Sequence, residues 1–244
     1  MNYLGSRYFP FFLSMTFFVG GPAFAEQGES WVFVPKVSAS KKQMEFIDKT
    51  GSVDVGITTV TAELAFTAAY KQFYMSLSAD ESVNSTYELE AERELQSSRQ
   101  DYALTFGYNI AGFNIFAGYK DGQSEISSKE IFTGELTDLT FRDNGPFLGF
   151  SYGYQMDKYG SIGANVAYAA MAGQLIRGSS VSPFILNLDG DTSGVSYGLY
   201  WSVPVNDSQV FSANLKSHRY QFSSDLIDYE QNFDILSLSL SSYF

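Results

Sequence analysis

The chain has 244 residues, with 15 basic against 27 acidic side chains and no cysteine. That charge balance argues against nucleic acid or an anionic membrane surface as a partner, and the missing thiols exclude disulfides, thiolate metal sites and cysteine nucleophiles. Aromatics are abundant (22 Phe, 17 Tyr), yet the mean hydropathy is slightly negative at −0.10, so apolar residues must alternate with polar ones rather than run together.

The first element is a leader. Arg7 gives a positive start, Tyr8 to Val19 is almost wholly apolar, and Ala23-Phe24-Ala25 fits a small-x-small cleavage rule. Residues 1–25 therefore read as a secretory signal peptide, leaving 26–244 as the mature domain. A membrane anchor is disfavoured, because the apolar run is too short and Pro10, Gly20, Gly21 and Pro22 interrupt it.

Period-two alternation then recurs along the chain, the signature of strands with two unlike faces. Trp31, Phe33, Pro35 and Val37 share one face of the first strand; Val60, Ala62, Leu64 and Phe66 share one face of the second. Phe73, Met75, Leu77 and Ala79 follow, then Tyr102, Leu104, Phe106 and Tyr108. The fifth to seventh strands carry Phe113 to Tyr119, Leu148 to Tyr154, and Ile162 to Tyr168. Val195 to Val203, Phe211 to Leu215, and Leu236 to Phe244 complete ten. Between them, four short turns near 69–71, 111–112, 156–159 and 206–208 alternate with long connections near 40–55, 81–99, 121–144, 174–192 and 222–231.

The opposite face of these strands is largely Gly, Ser, Ala, Asn and Thr, small enough for a narrow interior. Apolar outside with small and polar inside is the arrangement lipid demands, and only a closed barrel satisfies a membrane-spanning sheet's backbone. Aromatics gather by the short turns: Trp31, Tyr70, Tyr108, Phe113, Tyr154, Tyr159, Trp201 and Phe244. This reads as one girdle of an interfacial belt.

On these features the chain resembles the small bacterial outer-membrane β-barrel proteins. The last residues match that group's assembly signal, a terminal aromatic preceded by alternating apolar side chains: Leu236, Leu238, Leu240 and Phe244. Ser242 departs from it, since an aromatic or aliphatic residue is usual there. The resemblance implies an all-β, ten-stranded antiparallel transmembrane barrel with both termini periplasmic, short periplasmic turns and long extracellular loops. It also implies export to the outer membrane, recognition by the barrel-assembly machinery, and outer-membrane lipid and lipopolysaccharide as surroundings. It identifies no extracellular ligand.

Chemistry must be sought on the inward face, in a lumen expected to be mostly filled. Lys36 and Glu63 fall at similar heights on adjacent strands and are expected to form an ion pair. Asp80, Asp101, Lys120, Lys216 and His218 form a second inward cluster, expected near the extracellular rim as a solvated network. His218 is the sole histidine. Outer-membrane proteases and lipid A deacylases use a rim histidine as general base. The proteases place an aspartate two positions earlier, where this chain has Lys216, and the deacylases a serine two positions later, where it has Tyr220.

No catalytic, cofactor or metal residue is therefore assigned, and no cofactor is expected. The acidic stretch "YELEAERELQ" permits either a short helix or a hairpin. In the fourth long connection Val181, Phe184, Ile185, Leu186 and Leu188 are expected to pack over the barrel mouth or to meet a partner. The expected role is structural or surface interaction through acidic loops. A narrow pore for small solutes is the alternative, and a rim hydrolase using His218 the third.

Overall fold

The computed structural model describes residues 30–48, 54–84, 86–90, 93–130, 135–156 and 159–244; the leader expected at 1–25 lies outside them. Eleven strands appear: β1 (Trp31–Asp48), β2 (Asp54–Tyr70), β3 (Phe73–Asn84), β4 (Thr86–Glu90), β5 (Arg93–Ile110), β6 (Phe113–Glu130), β7 (Leu136–Gln155), β8 (Ser161–Ser179), β9 (Ser182–Asn206), β10 (Gln209–Ser223) and β11 (Asp228–Ser242). Both β3 and β4 pair with β5, so they are two segments of one stave and the barrel has ten.

Closure comes from the first and last strands. Every neighbouring pair is antiparallel, β1 pairs with β11, and β3 with β5 joins the remaining edge. The β1–β11 ladder runs to the last residue, where Phe33 and Phe244 exchange both backbone hydrogen bonds at 3.1 Å. With no free edge, every stave's backbone is satisfied laterally, which a sheet surrounded by apolar solvent requires. At the same end the staves turn tightly. Ala111 and Gly112 both have positive φ (49° and 87°), the pair of left-handed residues that a two-residue hairpin of primed type needs.

The outer face has two zones. From the end that carries Trp31 and Phe244, the first ten or so residues of each stave point alternate, apolar side chains outward, for example Phe33, Val37, Leu64, Leu77, Phe106, Ile115, Leu148, Phe150, Leu199 and Leu236. Trp31, Tyr70, Tyr108, Tyr152 and Trp201 edge this band below. Tyr102, Tyr119, Tyr168 and Tyr197 edge it above. The second ring completes the belt of which the sequence suggested one half. Above it the outward positions become Lys41, Gln43, Glu81, Gln100, Asp121, Asn144, Ser193 and Asp234, and the strands continue.

Beyond that boundary the interior changes too. Where the outer face is apolar, the inward residues are mostly Ser, Thr, Asn, Gly and charged groups, with a small buried cluster of Tyr74, Phe116 and Tyr200. Where the outer face is polar, the inward residues are Met44, Phe46, Ile57, Ile126, Phe141, Leu175, Phe222 and Phe233, packed into one buried cluster. Phe46 stacks on Phe141 at 4.6 Å and meets Phe233 edge-on at 6.1 Å. The distal half is thus built like a water-soluble barrel, and the proximal half like one immersed in an apolar medium.

This corrects the expected loop lengths. Described residues in 40–48, 93–99, 121–130, 136–144, 174–179 and 182–192 are strand, extending the staves past the apolar band. The segment between β8 and β9 shrinks to Ser180 and Val181, and "YELEAERELQ" contributes a β-hairpin through β4 and β5. Of the apolar residues around Phe184, Leu188 packs into the distal cluster, while Val181 and Ile185 are exposed.

Inward glycines make room for aromatic rings. Tyr74 lies directly across the ladder from Gly107, Phe116 from Gly149, Phe147 from Gly118, Tyr200 from Gly163 and Tyr220 from Gly194. In each pair the ring occupies the space where the glycine's Cβ would stand. A ring laid over a cross-strand glycine fills a narrow lumen and shields the bare backbone.

Candidate functional site

The register puts three carboxylates side by side. Glu63 on β2 is directly opposite Asp80 on β3, and Asp80 is directly opposite Asp101 on β5, all pointing inward. Like charges in direct opposition repel, so the arrangement holds only with cations interleaved. Those come from β1, β6 and, for Arg99, from β5 itself. Lys36 Nζ lies 2.6 Å from Glu63 Oε1, whose second oxygen accepts from Ser38 at 3.1 Å. Lys42 Nζ bridges Asp80 (2.9 Å) and Asp101 (3.0 Å). Arg99 grips Asp101 with two parallel bonds of 2.6 and 2.7 Å, and Lys120 approaches the same carboxylate at 3.3 Å.

Above this layer the charges meet the aromatic cluster. The Arg99 guanidinium lies over the Phe233 ring at 4.4 Å, a cation–π contact, while its Nη1 donates to Ser124 at 2.6 Å. Asp143 on β7 accepts from Thr192 at 2.7 Å. Below, Tyr74, Phe116 and Tyr200 form a second buried cluster that fills the lumen near the terminal end. Asn114 donates there to Tyr74 at 3.1 Å, and Thr67 to Ser76 at 2.9 Å.

Between the two clusters lies a cavity of about 110 Å³. Asp80, Asp101, Lys120, Lys216 and His218 all line it, together with Lys42 and Glu63. The structure therefore brings the expected cluster together but corrects its place. It sits inside the barrel beneath the Phe46–Phe141–Phe233 layer, and these residues are not at an open rim. The physical reason is the length of the staves, which carry about ten further residues above the apolar band. His218 Nδ1 lies 2.5 Å from Ser196 Oγ and 3.3 Å from Tyr220 Oη, and its ring stacks on Tyr220 at 5.6 Å. Among the described residues no group of three or more His, Cys, Asp or Glu side chains could hold a metal ion.

Three members of the network escaped the sequence reading: Lys42, Arg99 and Asp143. Each lies in a segment expected to be loop. Parity could have found them. Counting onward from Lys36, the inward positions of β1 are Ser38, Ser40, Lys42, Met44 and Phe46, and the last two already announce a buried distal core.

On the outer wall, Leu236, Leu238 and Leu240 face outward and Phe244 is exposed at the terminal end. Above them Arg219 Nη2 contacts Asp234 at 3.0 and 3.1 Å, and Ser217 donates to the same carboxylate at 2.5 Å. Partial burial alone would raise the Asp234 pKa; the hydrogen bonds and the guanidinium outweigh it and hold the carboxyl below its usual range.

No family model matches this sequence, and no curated protein matches it. Among solved structures it is similar to the outer-membrane protease OmpT from Escherichia coli, at 10% identity over 88% of this chain and 97% of that one, with a TM-score of 0.66. It is also similar to the translocator domain of the autotransporter NalP from Neisseria meningitidis, at 10% identity over 90% and 91% of the two chains, with a TM-score of 0.53. At such identity the likeness concerns fold alone: a ten-stranded closed antiparallel barrel of the kind found in bacterial outer-membrane proteins.

Proposed function

We propose that this chain is an integral barrel of a bacterial outer membrane, with a closed lumen and a structural or surface-interaction role. The observation that supports it is the reversal of polarity along the staves. An apolar band encircles the whole wall, with Leu64 67% and Phe150 57% exposed. A soluble monomer rarely shows contiguous apolar patches beyond a few hundred Å². About ten residues per stave match a tilted crossing of the hydrocarbon, and both aromatic rings fall where interfaces would be.

The distal half then stands in water, with its own hydrophobic core. On the usual arrangement of such barrels the termini face the periplasm and this half faces outward. Residues 1–25 serve as the export signal, and Leu236, Leu238, Leu240 and Phe244 as the handle for the assembly machinery. The outward collar, which includes Glu81, Asp121, Asp189, Asp191 and Asp234, presents a mainly acidic wall to a partner outside the cell.

A closed lumen favours this role over conduction. The ion-pair layer lies between two aromatic clusters, and the cavity between them is only about 110 Å³. Planar bilayers containing the purified barrel are the test: no discrete conductance is expected, and reproducible single-channel steps would sink the closed-barrel reading in favour of a narrow pore. One observation supports a second reading, hydrolysis at His218: the short contact between Ser196 Oγ and His218 Nδ1. The aromatic layer above it bars a large substrate. Labelling of Ser196 by an organophosphonate, abolished in His218→Ala, would revive it.

A further inference from the structure

One cross-strand row on the outer wall ends in a charge. Ala164, Leu199, Leu215 and Leu236 are successive partners across β8, β9, β10 and β11, and the next partner, on β1, is Lys41. Beyond Lys41 the row continues to Val60. Lys41 is thus an exposed ammonium flanked on both neighbouring staves by exposed aliphatic side chains, at the upper margin of the apolar band. Along this row the wall is hollowed into a groove of about 720 Å³, in whose lining Leu199, Leu215 and Leu236 supply apolar surface, Lys41, Gln43 and Ser217 supply polar groups, and Asp234 supplies a carboxylate that Arg219 neutralises. Just above, Arg219 reaches Asp234.

The rest of the collar at this height is different in charge. Outward positions above the band on the other staves include Thr58, Glu81, Gln100, Asp121, Asn144 and Ser193, neutral or acidic. Arg142 on β7 shares the ladder row of Glu81, Gln100 and Gln123, and its own partners, Gln123 and Gln174, are polar. A second outer groove, of about 580 Å³ beside Ile115, Phe150 and Val166, has no charged residue in its lining. An apolar trough headed by a cation therefore occurs on one sector of the wall, against a chain of net charge −12 that elsewhere repels anions.

We propose that this sector binds one phosphorylated, multiply acylated glycolipid of the lipopolysaccharide class. An acyl chain lies along the Leu199–Leu215–Leu236 row, a phosphate sits on Lys41, and the Gln43 amide supplies a further polar contact. The inference rests on the membrane residence and orientation proposed above, which put the collar at the headgroup level of the outer leaflet. Lysine suits the role as a flexible point charge for phosphate.

The test is native mass spectrometry of the full barrel, folded in a neutral maltoside detergent and titrated with diphosphoryl lipid A. One retained lipid is expected, with affinity falling about tenfold in Lys41→Gln, the scale of losing one charge-assisted contact. Dephosphorylated lipid A should bind the native barrel as weakly as the intact lipid binds the variant. Arg142→Gln should bind normally, and excess inorganic phosphate should not displace the lipid. Equal retention by Lys41→Gln, or indifference to the phosphates, would overturn the proposal and leave only annular lipid. Displacement by inorganic phosphate would also overturn it, since the groove would then play no part. Failure of the barrel to float with phosphatidylcholine vesicles would sink membrane residence itself, whereas flotation without phosphate preference would sink the site alone.

Discussion

Replacing Lys42 by methionine would remove one cation from between two carboxylates while keeping the length of the side chain. Lys42 is almost wholly buried, with Nζ 2.9 Å from Asp80 and 3.0 Å from Asp101. The two carboxylates differ in what remains to them. Asp101 keeps the bidentate Arg99 and the nearby Lys120. Asp80 keeps Glu63 and Asp101 as its direct cross-strand neighbours, and its Oδ1 is buried without a hydrogen-bond partner. Leaving one such charge uncompensated costs about 3–5 kcal/mol, whereas removing both members of a buried pair is often near neutral. Lys42→Met should therefore destabilise the barrel by about 3–5 kcal/mol, and Lys42→Met with Asp80→Asn should recover most of the loss. Urea unfolding of the barrel in lipid vesicles measures this as a shift in midpoint at constant slope. A loss under about 1 kcal/mol in the single variant, or an equal loss in the double, would refute the reasoning. It would mean that water in the cavity already screens the carboxylate row.

Four further expectations follow from other layers. Gly163→Val should drive the Tyr200 ring off the wall and cost about 1–3 kcal/mol by overpacking, with Gly163→Val in a Tyr200→Ala background partly relieved, read from the same urea midpoints. Phe46→Ala should open a cavity between Phe141 and Phe233 and cost about 3–5 kcal/mol, read as a lower temperature for loss of the compact unboiled gel band. The Asp234 carboxyl has its folded pKa depressed, so its contribution is present above the unfolded value near 4 and lost as pH falls through the folded one. The stability gap between the native chain and Asp234→Asn should accordingly close on acidification below pH ~4 and persist at neutrality. Deleting Phe244 removes its paired backbone bonds to Phe33, and should slow assembly into outer-membrane vesicles in a heat-modifiability time course. Normal assembly would count against Phe244 as the recognition handle.

The two halves of the barrel show why one alternation can serve two solvents. The outward positions of β1 run Trp31, Phe33, Pro35, Val37 and Ala39, then Lys41, Gln43 and Glu45. Its inward positions run Val34, Lys36, Ser38, Ser40 and Lys42, then Met44 and Phe46. The parity never changes; the medium does. In the band, burial inside competes with an apolar exterior, so small and polar side chains can fill the lumen when paired. Above the band, water surrounds the wall and the hydrophobic effect again drives large apolar groups inward. The ionic layer lies at the crossover, where neither solvent is adjacent and each charge must find its partner within the protein.

By itself the sequence determined the barrel's proximal half. Ten apolar alternations, the Ala111-Gly112 turn and the Leu236–Leu238–Leu240 run are local patterns, and each specifies a face without knowledge of any neighbour. It also placed Lys36 and Glu63 inward, because parity within one strand is local too. Where the strands ended was beyond the same reading, since the distal residues reverse polarity and resemble polar loops to an eye searching for apolar-outward positions. That hid Lys42, Arg99 and Asp143. Only the tertiary structure decided which strands lie side by side and at what register. Register places Glu63, Asp80 and Asp101 in one row from three staves and brings Lys42 across to meet them. It also ends a leucine row on Lys41. Such pairings depend on how far each strand is offset from the next around a closed, tilted wall, a quantity summed over the whole barrel that no single segment carries.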